Sequence, residues 1–288
     1  LRSARMRQRT SVCGAVLLVT AALVGASNVK SEDVTVGGYV CGEHQTARVY
    51  YPNPLSGKFP LISFAHGFQC GGTEAYADYS TMLTALTAAG YVVIVSESSN
   101  WPFECSEEWK DQLRSMEWAR ASNFSSHIDF TLQTGVLGHS MGGGASYHTA
   151  GLAVAVKEYN IGAAVALHPQ IRSPFHLQPI TNSLVPIFFG AGSEDEVVSP
   201  ASVKKAYSQT TGVPKVFVEI DGAFHDEPMC PPFGKARYTP YVIAMFDCHL
   251  KGDNGQCRTI YGSGSGTLCG GGGKVKMTDC EHAHGPPF

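Results

Sequence analysis

Short apolar runs alternate with stretches whose apolar residues recur every three or four positions, and the alternation continues along most of the chain. Residues 46–51 and 60–66 are β-rich, with Pro52-Asn53-Pro54 and Gly57 marking a turn between them. Tyr79, Met82, Leu83 and Leu86 follow at helical spacing, and Gly90 supplies a stop. The run 91–95 is continuously apolar, which predicts a strand covered on both faces. Trp109, Leu113 and Met116 predict a further amphipathic helix, with Glu107 and Glu108 at the end where the helix dipole favours acids. The series goes on with a strand at 135–138, a helix at 141–156 and strands at 163–167 and 185–189. A helix near 202–210 and a strand at 215–220 come next. A last helix carries Tyr238, Tyr241, Val242, Met245 and His249 on one face. Regular β-α-β alternation predicts a mostly parallel sheet with helices on both sides, in a single α/β domain over 27–260. Sheets of this kind hold ligands at the carboxyl ends of their strands, so chemistry is expected there.

The two ends of the chain read differently. Met6-Arg7-Gln8-Arg9 precedes an apolar run over 12–26 that closes on Val24-Gly25-Ala26, a pattern expected of a secretory signal peptide over 1–26. The run is shorter than the roughly 20 residues of a spanning helix, and a short amino-terminal anchor is the alternative. Beyond 261 the chain is rich in Gly and Ser, which predicts a spacer over 262–273 and a tail over 261–288 rather than a second domain. Cys280-Glu281-His282-Ala283-His284 reads as part of a flexible terminus, with soft-metal binding the lesser alternative.

Composition removes several classes. With 43% hydrophobic and 16% charged residues over 288 positions, the chain can bury a core, which excludes disorder. Its 32 glycines follow no collagen period, and no fixed repeat suggests a solenoid. The formal charge is −3; loss of 1–26 removes four arginines and no acid and leaves −7. Nucleic acid and anionic membranes are therefore not expected partners; the sequence leaves the oligomeric state open, with a monomer favoured. Of nine cysteines, Cys13 lies in the leader, and the remaining eight favour disulfides in an oxidising compartment. No Cys-x-x-Cys pair suggests zinc. A Cys70–Cys105 bridge is expected because both residues follow strands that end on one sheet edge. Four of the eight fall after Asp247, so the tail is expected to be stapled to the body.

The chemistry concentrates at Gly138-His139-Ser140-Met141-Gly142-Gly143-Gly144. Gly-x-Ser-x-Gly between a strand and a helix is a sharp turn that exposes a serine, and its glycines let the backbone bend without β-carbon clashes. A serine hydroxyl needs a base to become a nucleophile. The bland reading is a helix start capped by Ser140. In chain order, Asp195 follows a strand, with Glu194 and Glu196 as rivals and a merely solvated acidic loop as the alternative. His225 follows the next strand. Among eleven histidines, His66, His139, His168 and His249 read as hydrogen-bonded structural residues, with His139 also placed to line a substrate cleft. The order Ser140, Asp195, His225 suits a nucleophile, an orienting acid and a base. An oxyanion would be held by the N–H groups of Met141 and of Phe68, the latter brought close by Gly67.

Together, Gly138-His139-Ser140-Met141-Gly142-Gly143, His66-Gly67-Phe68, the Asp195 loop and Phe224-His225 resemble an α/β-hydrolase over about 46–252. Ser-Met-Gly-Gly-Gly and Gly192-Ser193-Glu194-Asp195-Glu196-Val197-Val198-Ser199-Pro200 are similar to the cutinase-like polyester hydrolases. The same motifs resemble dienelactone-hydrolase-like, platelet-activating-factor-acetylhydrolase-like and chlorophyllase-like esterases. The resemblance implies a secreted, cofactor-free serine esterase with no large lid and no metal. Its substrates would be short acyl esters or polyesters, or alternatively amphiphilic esters. Two features depart from the polyester hydrolases. The loop His168-Pro169-Gln170-Ile171-Arg172 lacks their aromatic residue, and no cysteine lies near Asp195 to bridge the acid and histidine loops. Trp101 and Phe175, with Phe68, are candidates for the substrate wall instead. From another class, a non-catalytic relative that only binds ligands is the rival reading.

Overall fold

The structure is a computed structural model that describes residues 28–68, 75–97, 105–171, 182–271 and 275–287. Nine strands form one sheet in the order β1-β2-β4-β3-β5-β6-β7-β8-β9. They are β1 Val29–Thr35, β2 Thr46–Pro52, β3 Leu61–Ala65, β4 Val92–Ser96, β5 Thr134–His139, β6 Ile161–Leu167, β7 Ile187–Gly192, β8 Lys215–Ile220 and β9 Met277–Ala283. The run from β4 through β3 to β8 is parallel, whereas β1, β2 and β9 join antiparallel at the two rims. This is the α/β-hydrolase architecture that the motifs imply.

The central strands are apolar throughout because both of their faces are covered. Ile62, Phe64, Val93, Val95, Leu137, Val165, Phe188, Val216 and Val218 point into one core. Their neighbours Leu61, Val92, Ile94, Val136, Ala164, Ala166, Ile187, Phe189 and Phe217 point into the other. The helices are α1 Ala75–Asp78, α2 Ser80–Ala88, α3 Glu108–Ala121, α4 Met141–Gly151, α5 Ala153–Glu158, α6 Pro200–Gln209, α7 Thr239–Leu250 and α8 Asn254–Tyr261. Buried residues of α2, α7 and α8 share the first core, and those of α3, α4, α5 and α6 share the second.

Several expectations change. The helix foreseen over 141–156 is two helices parted at Leu152, whose backbone is extended. Gly151 there passes so close to Asn182 that an added β-carbon would lie 2.5 Å from its carbonyl oxygen. Helix α3 turns a mostly polar face inward, burying Asp111, Gln112 and Ser115 beside Met116 and Ala119. That burial is tolerated where the groups are bonded, as these three are, whereas the carboxyl group of buried Glu108 on the same helix has no hydrogen-bond partner among the described residues and burial raises its pKa. Gln112 donates to Ser63 O, Leu137 O and Ser146 Oγ, and Asp111 accepts from the Val40 and Cys41 amides.

The cysteine pairing is corrected: Cys105 bridges to Cys41, not to Cys70, which lies outside the described residues. Cys248–Cys257 and Cys269–Cys280 are also bridged, and Cys230 is disulfide-bonded as well. The flexible terminus is corrected too. Residues 277–283 form β9, which pairs with β8 along its length and is tied to the body by Lys204 through Asp279 and Glu281. The expected staple is not seen among the described residues, because Cys269–Cys280 closes a loop within the tail itself. Glu281 and His282 are thus edge-strand residues.

His249 on α7 sits against the Tyr261 hydroxyl of α8 at 2.8 Å. Burial lowers its pKa to about 4. In the unfolded chain a histidine takes up a proton near about 6.5. Between those values the unfolded chain holds a proton that the folded one refuses, so the folded state loses stability as pH falls from about 6.5 to about 4. Replacing His249 by Gln is expected to shrink the drop in melting temperature between pH 7 and pH 4.5, measured by thermal denaturation of both proteins.

Candidate active site

Ser140 sits at the turn from β5 into α4 with φ 56° and ψ −117°, a backbone conformation that non-glycine residues rarely hold. The surroundings impose it. A β-carbon on Gly138 would stand 2.0 Å from the Gly142 carbonyl oxygen, and one on Gly142 would stand 2.1 Å from that of Ala65. Only glycine fits at either place. The Ser140 amide donates to Leu167 O, and the Gly142 amide donates to His66 O, so the turn is tied to the ends of both flanking strands.

The structure brings together the three residues expected to act as a unit. Ser140 Oγ lies 2.9 Å from His225 Nε2, and His225 Nδ1 lies 2.9 Å from Asp195 Oδ2. Asp195 and His225 come from the loops after β7 and β8. These loops are laced together without a disulfide: Ser193 N donates to Ile220 O, Glu194 N to Ala223 O, and Gly222 N to Ser193 Oγ. The rival acids Glu194 and Glu196 are not hydrogen-bonded to His225. The Asp195 side chain is fully buried, whereas that of His225 keeps 13% of its surface, on the side that faces the cleft.

Burial by itself would raise the Asp195 pKa. Hydrogen bonds from His168, His225 and the Val198 amide, together with the nearby His225 charge, outweigh it and hold the carboxyl well below the usual carboxylate range. His168 Nδ1 approaches the same Oδ2 at 2.7 Å. His168, Asp195 and His225 have polar atoms within 4.8 Å of one another. The Nδ1–Oδ2 separations are those of N–H···O bonds and are shorter than the roughly 3.3 Å between ligands of a tetrahedral metal with bonds of about 2.0–2.1 Å.

His139 is held differently. Its Nε2 is 2.9 Å from the His225 carbonyl oxygen and its Nδ1 is 2.7 Å from the Tyr79 hydroxyl, which also accepts from the Gly67 amide. Burial, and then the neighbouring His225 and His168, push its pKa well down, so the ring is neutral. A neutral His139 can donate from Nε2 to the carbonyl and accept the Tyr79 proton at Nδ1. This chain runs from the Gly67 loop to the backbone of His225, and sequence reasoning missed its Tyr79 link. Tyr79 could be read as an apolar helix position, and only the packing of α2 under the turn reveals its hydroxyl.

A cleft of about 290 Å³ opens over Ser140, lined by Gly67, Phe68, His139, Gln170, Val197, His225, Asp226 and Met229. Gly67 approaches so closely that a β-carbon there would lie 3.2 Å from both His139 Nδ1 and Ser140 Cβ. Among the described residues, the amides of Phe68 and Met141 are not taken by backbone carbonyls. Phe68 and Val197 of this lining are large exposed apolar residues, as is Phe224, the neighbour of His225 in the chain. Gln170 occupies the loop after β6, and its backbone N–H donates to Ser140 O. Of the expected wall residues, Trp101 and Phe175 lie outside the described residues, as does 172–181 of the connection from β6 to β7.

A family model described as PET hydrolase-like matches residues 14–261. Cutinase 1 of Thermobifida cellulosilytica is 26% identical over 204 residues, covering 69% of this chain and 72% of that protein. The Cutinase of Thermobifida fusca (strain YX) is likewise 26% identical over 204 residues, covering 69% of this chain and 62% of the relative.

Replacing Tyr79 by Phe removes the one hydroxyl that joins Gly67 N to His139 Nδ1 and leaves both without that partner in a buried place. The expected cost is about 1–3 kcal/mol of stability, read from urea melts of the two proteins.

Proposed function

The chain belongs to the PET hydrolase-like family and is a carboxylic ester hydrolase, and we propose that it works through Ser140, His225 and Asp195 by way of an acyl-enzyme. The observation that carries this reading is the 2.9 Å contact between Ser140 Oγ and His225 Nε2, backed by the buried carboxylate at Nδ1. His225 takes the hydroxyl proton as Oγ attacks the ester carbonyl. The N–H groups of Met141 and Phe68 hold the oxygen that becomes negative. His225 then passes its proton to the departing alcohol. Water, deprotonated by the same ring, releases the acid and restores Ser140. Asp195 keeps the ring in the right tautomer and offsets its charge while it is protonated. No cofactor takes part in these steps.

The open cleft and the apolar residues at its rim suit short acyl esters and polyester chains that enter from the side. Gln170 in place of an aromatic ring offers an amide where a clamp on aromatic units would be wanted, which favours aliphatic chains. Secretion accords with the basic and apolar head of the chain and with the disulfides. Among the described residues no helix is long and apolar enough to cross a membrane.

Replacing Ser140 by Ala is expected to lower kcat by at least about a thousandfold with the fold retained. An organophosphonate probe should label Ser140 of the parent and leave the variant unlabelled. Undiminished turnover, or labelling at another residue, would remove Ser140 from the mechanism. On nitrophenyl esters, kcat/KM should fall from butyrate to palmitate; a rise would point to large amphiphilic esters instead.

A further inference from the structure

His168 closes β6 in a left-handed conformation, with φ 45°. That backbone places its ring, which has no exposed side-chain surface, beside the Asp195 carboxylate. The proposed hydrolytic steps assign it no part. Its Nδ1 lies 2.7 Å from Oδ2, the same oxygen that faces His225 Nδ1 at 2.9 Å. The other oxygen, Oδ1, accepts from the Val197 and Val198 amides at 2.8 Å each. Two donors on each oxygen fill the lone-pair sites of the carboxylate. Because Asp195 is ionised, each imidazole must present an N–H to it. At the far side of the ring, His168 Nε2 lies 3.1 Å from the Tyr238 hydroxyl, which is itself against Ala191 O.

We propose that His168 is a positioning residue for hydrolysis. Its Nδ1–H shares Oδ2 of Asp195 with His225, which holds the carboxylate in line with the base and limits how tightly that carboxylate grips the His225 proton. The proposal rests on the reading of Ser140, His225 and Asp195 as the hydrolytic unit. A carboxylate oxygen that serves two donors gives less of its charge to each, and removing one donor leaves more of that charge to the other. The other titratable or charged groups around this pair are neutral His139 from β5, Tyr238 at the start of α7, and Glu227 in its ion pair with Arg237. Asp226 lies at the cleft, Glu194 and Glu196 flank Asp195, and Glu219 lies on β8. Among the described residues, none of these side chains hydrogen-bonds to Oδ2, so the two imidazoles divide it between them.

The test compares the full-length parent with His168→Asn, which keeps an amide N–H where Nδ1 stood, and His168→Leu, which keeps bulk and loses the donor. Each protein is titrated with the phosphonate probe and its kcat/KM is followed against pH. The acid limb of the Leu variant is expected at higher pH than that of the parent by about half a unit or more. Its kcat/KM at neutral pH should be down about tenfold, while the Asn variant keeps the parent's limb. An unshifted limb in the Leu variant overturns the proposal. So does an Asn variant that shifts as Leu does, because that is the mark of packing alone. Should the Leu variant not fold, NMR of the parent labelled with ¹⁵N-histidine decides. A proton on His168 Nδ1 at neutral pH supports the proposal, and a bare Nδ1 overturns it. Failure of the parent to label at Ser140 overturns the triad reading, and this inference with it, and is distinguishable from the other failures.

Discussion

Two backbone segments meet at Ser140 more closely than any side chain would allow, and the arrangement of the site depends on that meeting. Gly142 passes against the end of β3, where its amide bonds to His66 O and where a methyl group would collide with Ala65. The same contact forces Ser140 into its left-handed turn and sets Gly67 against it. The nucleophile candidate and the loop that would bind the oxyanion are thus fixed by one close approach rather than by two independent loops. Strain of this kind, on the order of 1–3 kcal/mol, persists only where the neighbouring structure over-determines it. Here parallel strands buried on both faces do so.

The electrostatics follow a matching economy. Asp195 is surrounded by donors: two imidazoles and two amides. His139 and His168 both have pKa values lowered by burial, so the carboxylate is flanked by dipoles more than by competing cations. Each structural histidine holds a different part of the candidate site. His139 grips the His225 backbone and, through Tyr79, the Gly67 loop, whereas His168 grips the acid.

The parallel strands and the order Ser140, Asp195, His225 were legible because each rests on local patterning: continuous apolar runs, a glycine-flanked serine, and polar residues just past strand ends. Three elements were not. Strand β1 reads Val-Lys-Ser-Glu-Asp-Val-Thr and is mostly exposed, and β9 reads Met-Thr-Asp-Cys-Glu-His-Ala; neither has an apolar face to announce it. Helix α8 is short and was hidden in a segment read as the approach to a spacer. The inward face of α3 was misjudged because the burial of Gln112 is offset by hydrogen bonds to β3, β5 and α4. Pattern in one segment cannot reveal partners in another. For the same reason Cys105 could be placed near a sheet edge but not matched to Cys41, and His168 could not be told from an ordinary core histidine.

The two outer strands give the sheet a defence against self-association. An open sheet edge is a template for another molecule's strand, and the surest deterrent is charge that would have to be buried on contact. Along β1 the edge carries Lys30, Glu32 and Asp33, the last clasped by Arg48; along β9 it carries Asp279 and Glu281, clasped by Lys204. The cleft itself carries exposed Phe68 and Val197 on its lining, so the apolar surface of this region lies away from the strand edges. Charge at both rims would have to be buried before a neighbouring copy could extend the sheet into a fibre.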